Sequence, residues 1–198
     1  NVTYPFISGT AVPRDFVELP SQLYEHWLEV PEVLNRFAVH YQTGKPIPES
    51  LIKKILKTRN LDQGFATVEY VSSALVDLSF HENTNEIDPI IEEKRLLNDL
   101  EMPSAIRMRH STPNFSHIFS GNGYSAGYYS YMWSEVMDAD AFQAFLEVND
   151  PFDPKTAERL HSCIYSAGGS KPPEELYINF RGSLPSVNAL LKQRGLDT

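Results

Sequence analysis

The sequence is short of several things, and each shortage excludes something. It contains a single cysteine, Cys163, so no disulfide can close within it. A lone thiol fits a reducing compartment. Lys and Arg number 17 against 26 Asp and Glu, a formal net charge of −9. A nucleic-acid backbone calls for clustered basic residues, so no nucleic acid is expected as a partner. No apolar run approaches the roughly 18 residues that a bilayer span requires, and no signal peptide is visible. No membrane partner is therefore expected, and the location is read as cytoplasmic. A Gly-Lys-Ser/Thr phosphate signature is missing, and no Ser–His–Asp or Cys–His arrangement can be argued. Asn1 is not an initiator Met, and "NVTYPFISGT" is apolar and turn-rich, unlike a natural tail. The chain is read as a piece of a longer protein.

What is present is an ordinary globular balance, 41% hydrophobic and 22% charged over 198 residues. Strand signals are few and helix punctuation is frequent, which predicts a mainly α fold with little or no β. "ESLIKKILKTRN" and "GFATVEYVSSALVDLSF" carry apolar residues at helical spacing. Asp88 and Pro89 read as an N-cap and first helical residue. A long helix is expected from about Tyr128 to Val148. Another opens at Asp153-Pro154 and closes at Gly168-Gly169, and short helices follow near 172–180 and 186–194. Residues 1–14 read as loop and 102–126 as irregular. In "DFVELPSQLYEHWLEV", Phe16, Leu19, Leu23 and Trp27 fall near one face, but Pro20 opposes a continuous helix. The helix either starts near Leu19 with Pro20 in its first turn or bends there.

Three places invite a chemical reading. "HENTN", His81 to Asn85, approaches a His-Glu-x-x-His zinc helix but lacks the second histidine, and it falls where a helix ends. It is read as solvated helix-end residues. Glu18 stands in "RDFVELPSQ", where helical spacing gathers Asp15, Glu18 and Gln22. One carboxylate there could ligate a metal while a neighbour orients it; the plainer reading is acids favouring a helix dipole. The third place is "GNGYSAGYYSY", with four tyrosines and three glycines in eleven residues. Tyr128 and Tyr131 stand at i and i+3, with Tyr124 a turn earlier and His117 upstream. Phenols are donors at neutral pH, so two of them aimed at one point make an oxyanion site. An aromatic stripe in a core is the plainer reading, and Gly121, Gly123 and Gly127 weigh against it, because glycine lets backbone move or lets a ligand come close.

Taken together, "SGTAVPRDFVELPSQLYEHW", "FSHIFSGNGYSAGYYSYMWSEVMDADAF" and "GGSKPPEELYINFRGSLPSVNALLKQRGL" resemble the thimet oligopeptidase, oligopeptidase A and peptidyl-dipeptidase Dcp family of metallopeptidases. "DADAF", and "GGS" followed by "FRG", lean toward the peptidyl-dipeptidase branch. The resemblance runs over nearly the whole chain. It implies that residues 1–198 are the C-terminal part of one helical, zincin-like catalytic domain, acting on short, unfolded peptides. The family holds one zinc ion through two histidines of His-Glu-x-x-His and a glutamate on the next helix. Glu18 matches that glutamate, with Asp15 where an acidic supporting group would be useful. Tyr128 and Tyr131 match the tyrosines facing the scissile carbonyl, and His117 and Tyr124 match substrate contacts, on a glycine-bearing loop that folds over the peptide. The His-Glu-x-x-His helix itself is absent, so the chain alone is expected to be inactive. Ser183 stands where the branch usually carries Arg, which puts a role for that position in doubt. Release of C-terminal dipeptides is the expected reaction. Endo-acting cleavage within the same family and a non-catalytic helical peptide-binding module are the alternatives.

Overall fold

A computed structural model describes residues 2–197; the reading attached to Asn1 lies outside them. The α-helices are α1 (Arg14–Val17), α2 (Leu19–Glu25), α3 (Pro31–Phe37), α4 (Glu49–Thr58), α5 (Gln63–Glu82), α6 (Pro89–Asp99), α7 (Ser116–Phe119), α8 (Ser130–Glu147), α9 (Pro154–Leu160), α10 (Pro173–Arg181) and α11 (Asn188–Arg194). No strand forms among the described residues. The β pairing found there is an isolated antiparallel bridge between Val39 and Pro46. The mainly α expectation holds.

Local chemistry explains most boundaries. Asp88 accepts from the Ile90 and Ile91 amides, with Pro89 at the first position of α6. Asp153 accepts from the Thr156 amide at 2.7 Å at the start of α9. Gly182 and Gly195 close α10 and α11 in the left-handed conformation. Pro20 lies in the first turn of α2, and the short α1 precedes it, so the proline is accommodated by a break at Glu18. Four expectations need correction. The helix opened at Asp153-Pro154 is α-helical only to Leu160 and continues as a π-helical turn, His161–Tyr165, so it stops short of Gly168-Gly169. α8 begins at Ser130, so Tyr128 lies in the preceding turn and not on the helix. Residues 102–126 are not irregular throughout, since a 3-10 turn covers Thr112–Asn114 and α7 follows. Residues 1–14 likewise hold a 3-10 turn, Pro5–Ile7.

The described residues form two compact units, one up to Leu61 together with everything from Trp133 on, the other Asp62–Met132. The first unit packs Phe16, Leu19 and Leu23 against Met137, Ala141, Phe142 and Phe145 of α8 and Leu176, Tyr177 and Phe180 of α10. Full burial of each Leu, Met or Phe among them contributes about 1.5–3 kcal/mol. Trp27 meets Phe142 and Phe145 edge-on, each at 5.0 Å, and donates its indole N–H to the Pro151 carbonyl. Arg181 joins Asp140 and Glu147, and the Tyr177 hydroxyl donates to Asp140 at 2.7 Å. At Gly168 and Gly169 another stretch of backbone passes very close: the Gly169 amide donates to the Ile7 carbonyl at 2.8 Å.

One buried pair in this unit makes its stability depend on pH. Asp138, with a side chain 3% exposed, shares a 2.6 Å hydrogen bond with His26 Nε2 through Oδ1. Its Oδ2 is buried without a hydrogen-bond partner. Burial pushes the Asp138 carboxyl from 3.8 up to about 6, opposed by the His26 hydrogen bond and reinforced by Glu135 and Glu25. The folded state therefore holds the proton more tightly than the unfolded chain. The stabilisation from this group is complete below pH 3.8 and is lost as pH rises through about 6. Asp138→Asn, which keeps a polar contact to His26, is expected to stabilise the protein above pH 6 by up to about 3 kcal/mol, at about 1.4 kcal/mol per pKa unit. The gain should shrink toward zero near pH 4. Urea midpoints of both proteins across that range check it, and a gain independent of pH would contradict it.

Candidate functional site

In the second unit α5 supplies the frame, and the tyrosine segment lies against it. Val76, Met108, Phe115 and Ile118 are buried together, with Phe80, Leu96, Tyr124 and Tyr128 packed on them. Tyr124 and Tyr128 thus have one side in an apolar cluster, which fixes their rings and leaves the polar ends to be placed by hydrogen bonds.

His117, Tyr124, Tyr128 and Tyr131 come together. His117 Nε2 and the Tyr131 hydroxyl are 2.9 Å apart. The Tyr124 and Tyr131 rings stack at 5.5 Å with 5° between planes, and the Tyr128 ring stands edge-on to Tyr131 at 5.6 Å. His117 lies 4.3 Å from the Tyr124 ring. His117 is exposed, and the three tyrosines are partly buried. The cluster is therefore a partly buried aromatic group with an exposed imidazole at its edge.

Burial raises the Tyr128 hydroxyl above the ordinary phenol value, so it stays a donor at neutral pH. Its contact is His110 Nε2 at 3.3 Å. Burial, then the charge of Arg109, lowers the His110 pKa, so a neutral imidazole faces the phenol and can accept its proton in a hydrogen bond.

The glycines act otherwise than loop freedom suggests. Neither Gly121 nor Gly127 has a left-handed φ; Ala126 does, at +53°. Gly127 is buried, and a Cβ there would lie 3.3 Å from Tyr124 Cα. Gly127 thus allows the backbone to fold tightly onto Tyr124, whereas Gly121 and Gly123 are exposed.

Sequence reasoning missed three residues of this unit. Asp77 of α5 is fully buried and accepts from the Ala126 amide at 3.0 Å and the Tyr128 amide at 2.8 Å. The Tyr70 hydroxyl donates to the Tyr128 carbonyl and accepts from the Met132 amide. His110 is the third. A usable signal existed for Asp77, a carboxylate inside the apolar run "SALVDLSF". His81 of "HENTN" bonds back to Asp77, Nδ1 lying 2.8 Å from Oδ1, as fits a helix-end residue.

Glu18 and Asp15 belong to the first unit. Glu18 sits at the break between α1 and α2, partly buried. The Ser21 hydroxyl lies within hydrogen-bonding reach of its carbonyl, at 2.9 Å, and of its Oε2, at 3.1 Å. The carbonyl of Asp15 accepts from the Ser134 hydroxyl at 2.9 Å. Among the described residues no three His, Cys, Asp or Glu side chains are grouped to hold a metal ion. The described residues thus do not compose a metal site by themselves. No described helix is long and apolar enough to cross a membrane.

The model of peptidase family M3 matches residues 1–196. Dipeptidyl carboxypeptidase of Escherichia coli is 36% identical over 199 residues, covering 98% of this chain and 29% of the relative. Oligopeptidase A of the same organism is 38% identical over 197 residues, covering 96% and 28%. A thimet-like oligopeptidase of Dictyostelium discoideum is 33% identical, covering 98% and 29%. The chain thus spans less than a third of the length of these relatives.

Proposed function

We propose, on the premise that the chain belongs to peptidase family M3, that it supplies the peptide grip and the oxyanion donors of a zinc peptidase acting on short, unfolded peptides. The observation that carries this is the convergence of His117 and Tyr124 with the hydroxyl-bearing Tyr128 and Tyr131. His117 and Tyr124 hold the peptide at the edge of the cluster. Tyr131, assisted by Tyr128, donates a hydrogen bond to the carbonyl oxygen of the scissile bond as negative charge forms on it. Donors already in place act most strongly there, since no reorganisation is needed at the moment of reaction. Activation of water near neutral pH is the chemistry zinc supplies in such enzymes. Glu18 is the one ligand this chain offers it, supported by Asp15, and residues 1–198 alone are inactive on this reading.

The preferred reaction is release of C-terminal dipeptides, the activity named in dipeptidyl carboxypeptidase; internal cleavage of the same peptides is the second reading, and oligopeptidase A is about as similar. The test incubates the whole protein that carries this chain with unblocked and C-terminally amidated peptides and reads the products by mass spectrometry. Successive loss of dipeptides from the free C-terminus is expected. Internal cuts that tolerate amidation would replace the first reading with the second. Peptide binding without any cleavage, in zinc-loaded protein, would overturn both in favour of a binding module.

A further inference from the structure

Two side chains of α5, Asp77 and Tyr70, hold the backbone of the tyrosine segment. Asp77 and Tyr70 stand seven residues apart, two turns along one face of the helix. Asp77 takes the amides on both sides of Gly127, those of Ala126 and Tyr128, on its two carboxylate oxygens. His81 of the same helix lies beside it, its Nδ1 2.9 Å from the Asp77 carbonyl oxygen and 2.8 Å from Oδ1. A buried carboxylate that accepts several hydrogen bonds is well satisfied; with one acceptor removed it leaves a buried N–H unpaired.

Tyr70 acts at the next step of the chain. In a regular helix the Met132 amide would donate to the Tyr128 carbonyl, four residues earlier. Here the Tyr70 hydroxyl stands between them, donating to the Tyr128 carbonyl and accepting from the Met132 amide. The Tyr70 and Tyr128 rings also stack, at 5.4 Å. The inserted phenol holds the first turn of α8 open, so Tyr128 is off the helix while Tyr131 is on it. The two rings meet edge-on, at 67°.

We propose that Asp77 and Tyr70 are positioning residues: through the backbone at Ala126, Tyr128 and Met132 they hold the Tyr128 and Tyr131 hydroxyls at the spacing one peptide oxygen needs. This rests on the oxyanion role given to those tyrosines above. A positioning device of this kind should affect the rate and not the grip, because an error of about 1 Å in a reacting group costs up to about 10²-fold.

The test uses the whole protein, zinc-loaded, with Asp77→Asn and Tyr70→Phe made singly and in a Tyr128→Phe/Tyr131→Phe background. Asp77→Asn exchanges one acceptor for a donor, and Tyr70→Phe deletes only the inserted hydroxyl. In the native background each should lower kcat, Asp77→Asn by about 10-fold or more and Tyr70→Phe by about threefold or more, with KM within about twofold. In the double-Phe background the cost of each should fall below about twofold, because the groups being positioned are gone. Amide exchange in the peptide covering 121–132 should accelerate about 10-fold or more in Asp77→Asn. Equal losses of kcat in both backgrounds would mean a general structural role and overturn the proposal, as would unchanged exchange. Should Asp77→Asn fail to fold, Tyr70→Phe decides by the same background comparison. If the two Tyr→Phe changes leave kcat at the native value, the oxyanion reading itself has failed, and the exchange rates still judge whether Asp77 fixes the segment.

Discussion

Replacing Tyr131 by Phe in the whole protein is expected to lower kcat by about 10²–10³-fold while KM stays nearly constant. The change is small in structural terms. The ring keeps its stack on Tyr124 and its edge contact with Tyr128, and only the hydroxyl that meets His117 is lost. A phenol proton that meets charge present only in the transition state contributes to the rate and little to ground-state binding. Tyr128→Phe should act the same way more weakly, Tyr131 being the main donor on this reading. The double change should be less than additive if both serve one oxygen. Steady-state kinetics at a single pH, with zinc content checked, decides the matter. A kcat within about threefold of native for Tyr131→Phe, far short of the loss of an oxyanion donor, would return the tyrosines to substrate grip or plain packing.

The second large effect concerns Glu18. Glu18→Ala in the whole protein should abolish tightly held zinc and, with it, activity, while the fold is kept. Glu18 lies partly exposed at a break between two helices and is not among the buried apolar residues of the core. Its neighbours Phe16 and Leu19 are buried and should hold α1 and α2 in place without it. Loss of one of three protein ligands leaves an incomplete zinc site. Metal analysis after dialysis, paired with a thermal melt, tests this; full zinc occupancy in a folded Glu18→Ala protein would remove Glu18 from the ligand set.

Helix content was legible because its signals are local. Asp88-Pro89 and Asp153-Pro154 announce helix starts, and Gly195 a helix end, through bonds spanning a few residues. Tyr124, Tyr128 and Tyr131 could be nominated because residue type and spacing suggested a shared face. The start of α8 could not be read, because Tyr70, 58 residues before Tyr128, inserts its hydroxyl there. Gly127 was likewise open to a loop reading, since its need for glycine comes from Tyr124 backbone packed against it. Asp77 is the instructive miss. Its position breaks an apolar pattern, but the amides it satisfies lie 49 and 51 residues away.

Gly168 and Gly169 have a consequence for which sequences this fold admits. A Cβ at Gly168 would lie 2.2 Å from the Ile7 carbonyl oxygen, and one at Gly169 would lie 2.4 Å from that of Ala11. No rotamer relieves a clash that Cβ itself makes with backbone. Gly9 also has a left-handed φ but has open space around it, so Asn or Asp remains admissible there at modest cost. The two kinds of glycine look alike in one sequence and should separate under selection. When a library randomises all three positions and survivors are chosen for folding, the 168–169 pair returns as glycine alone, while position 9 drifts. The variation at 168 and 169 is thus governed by a crossing some 160 residues upstream.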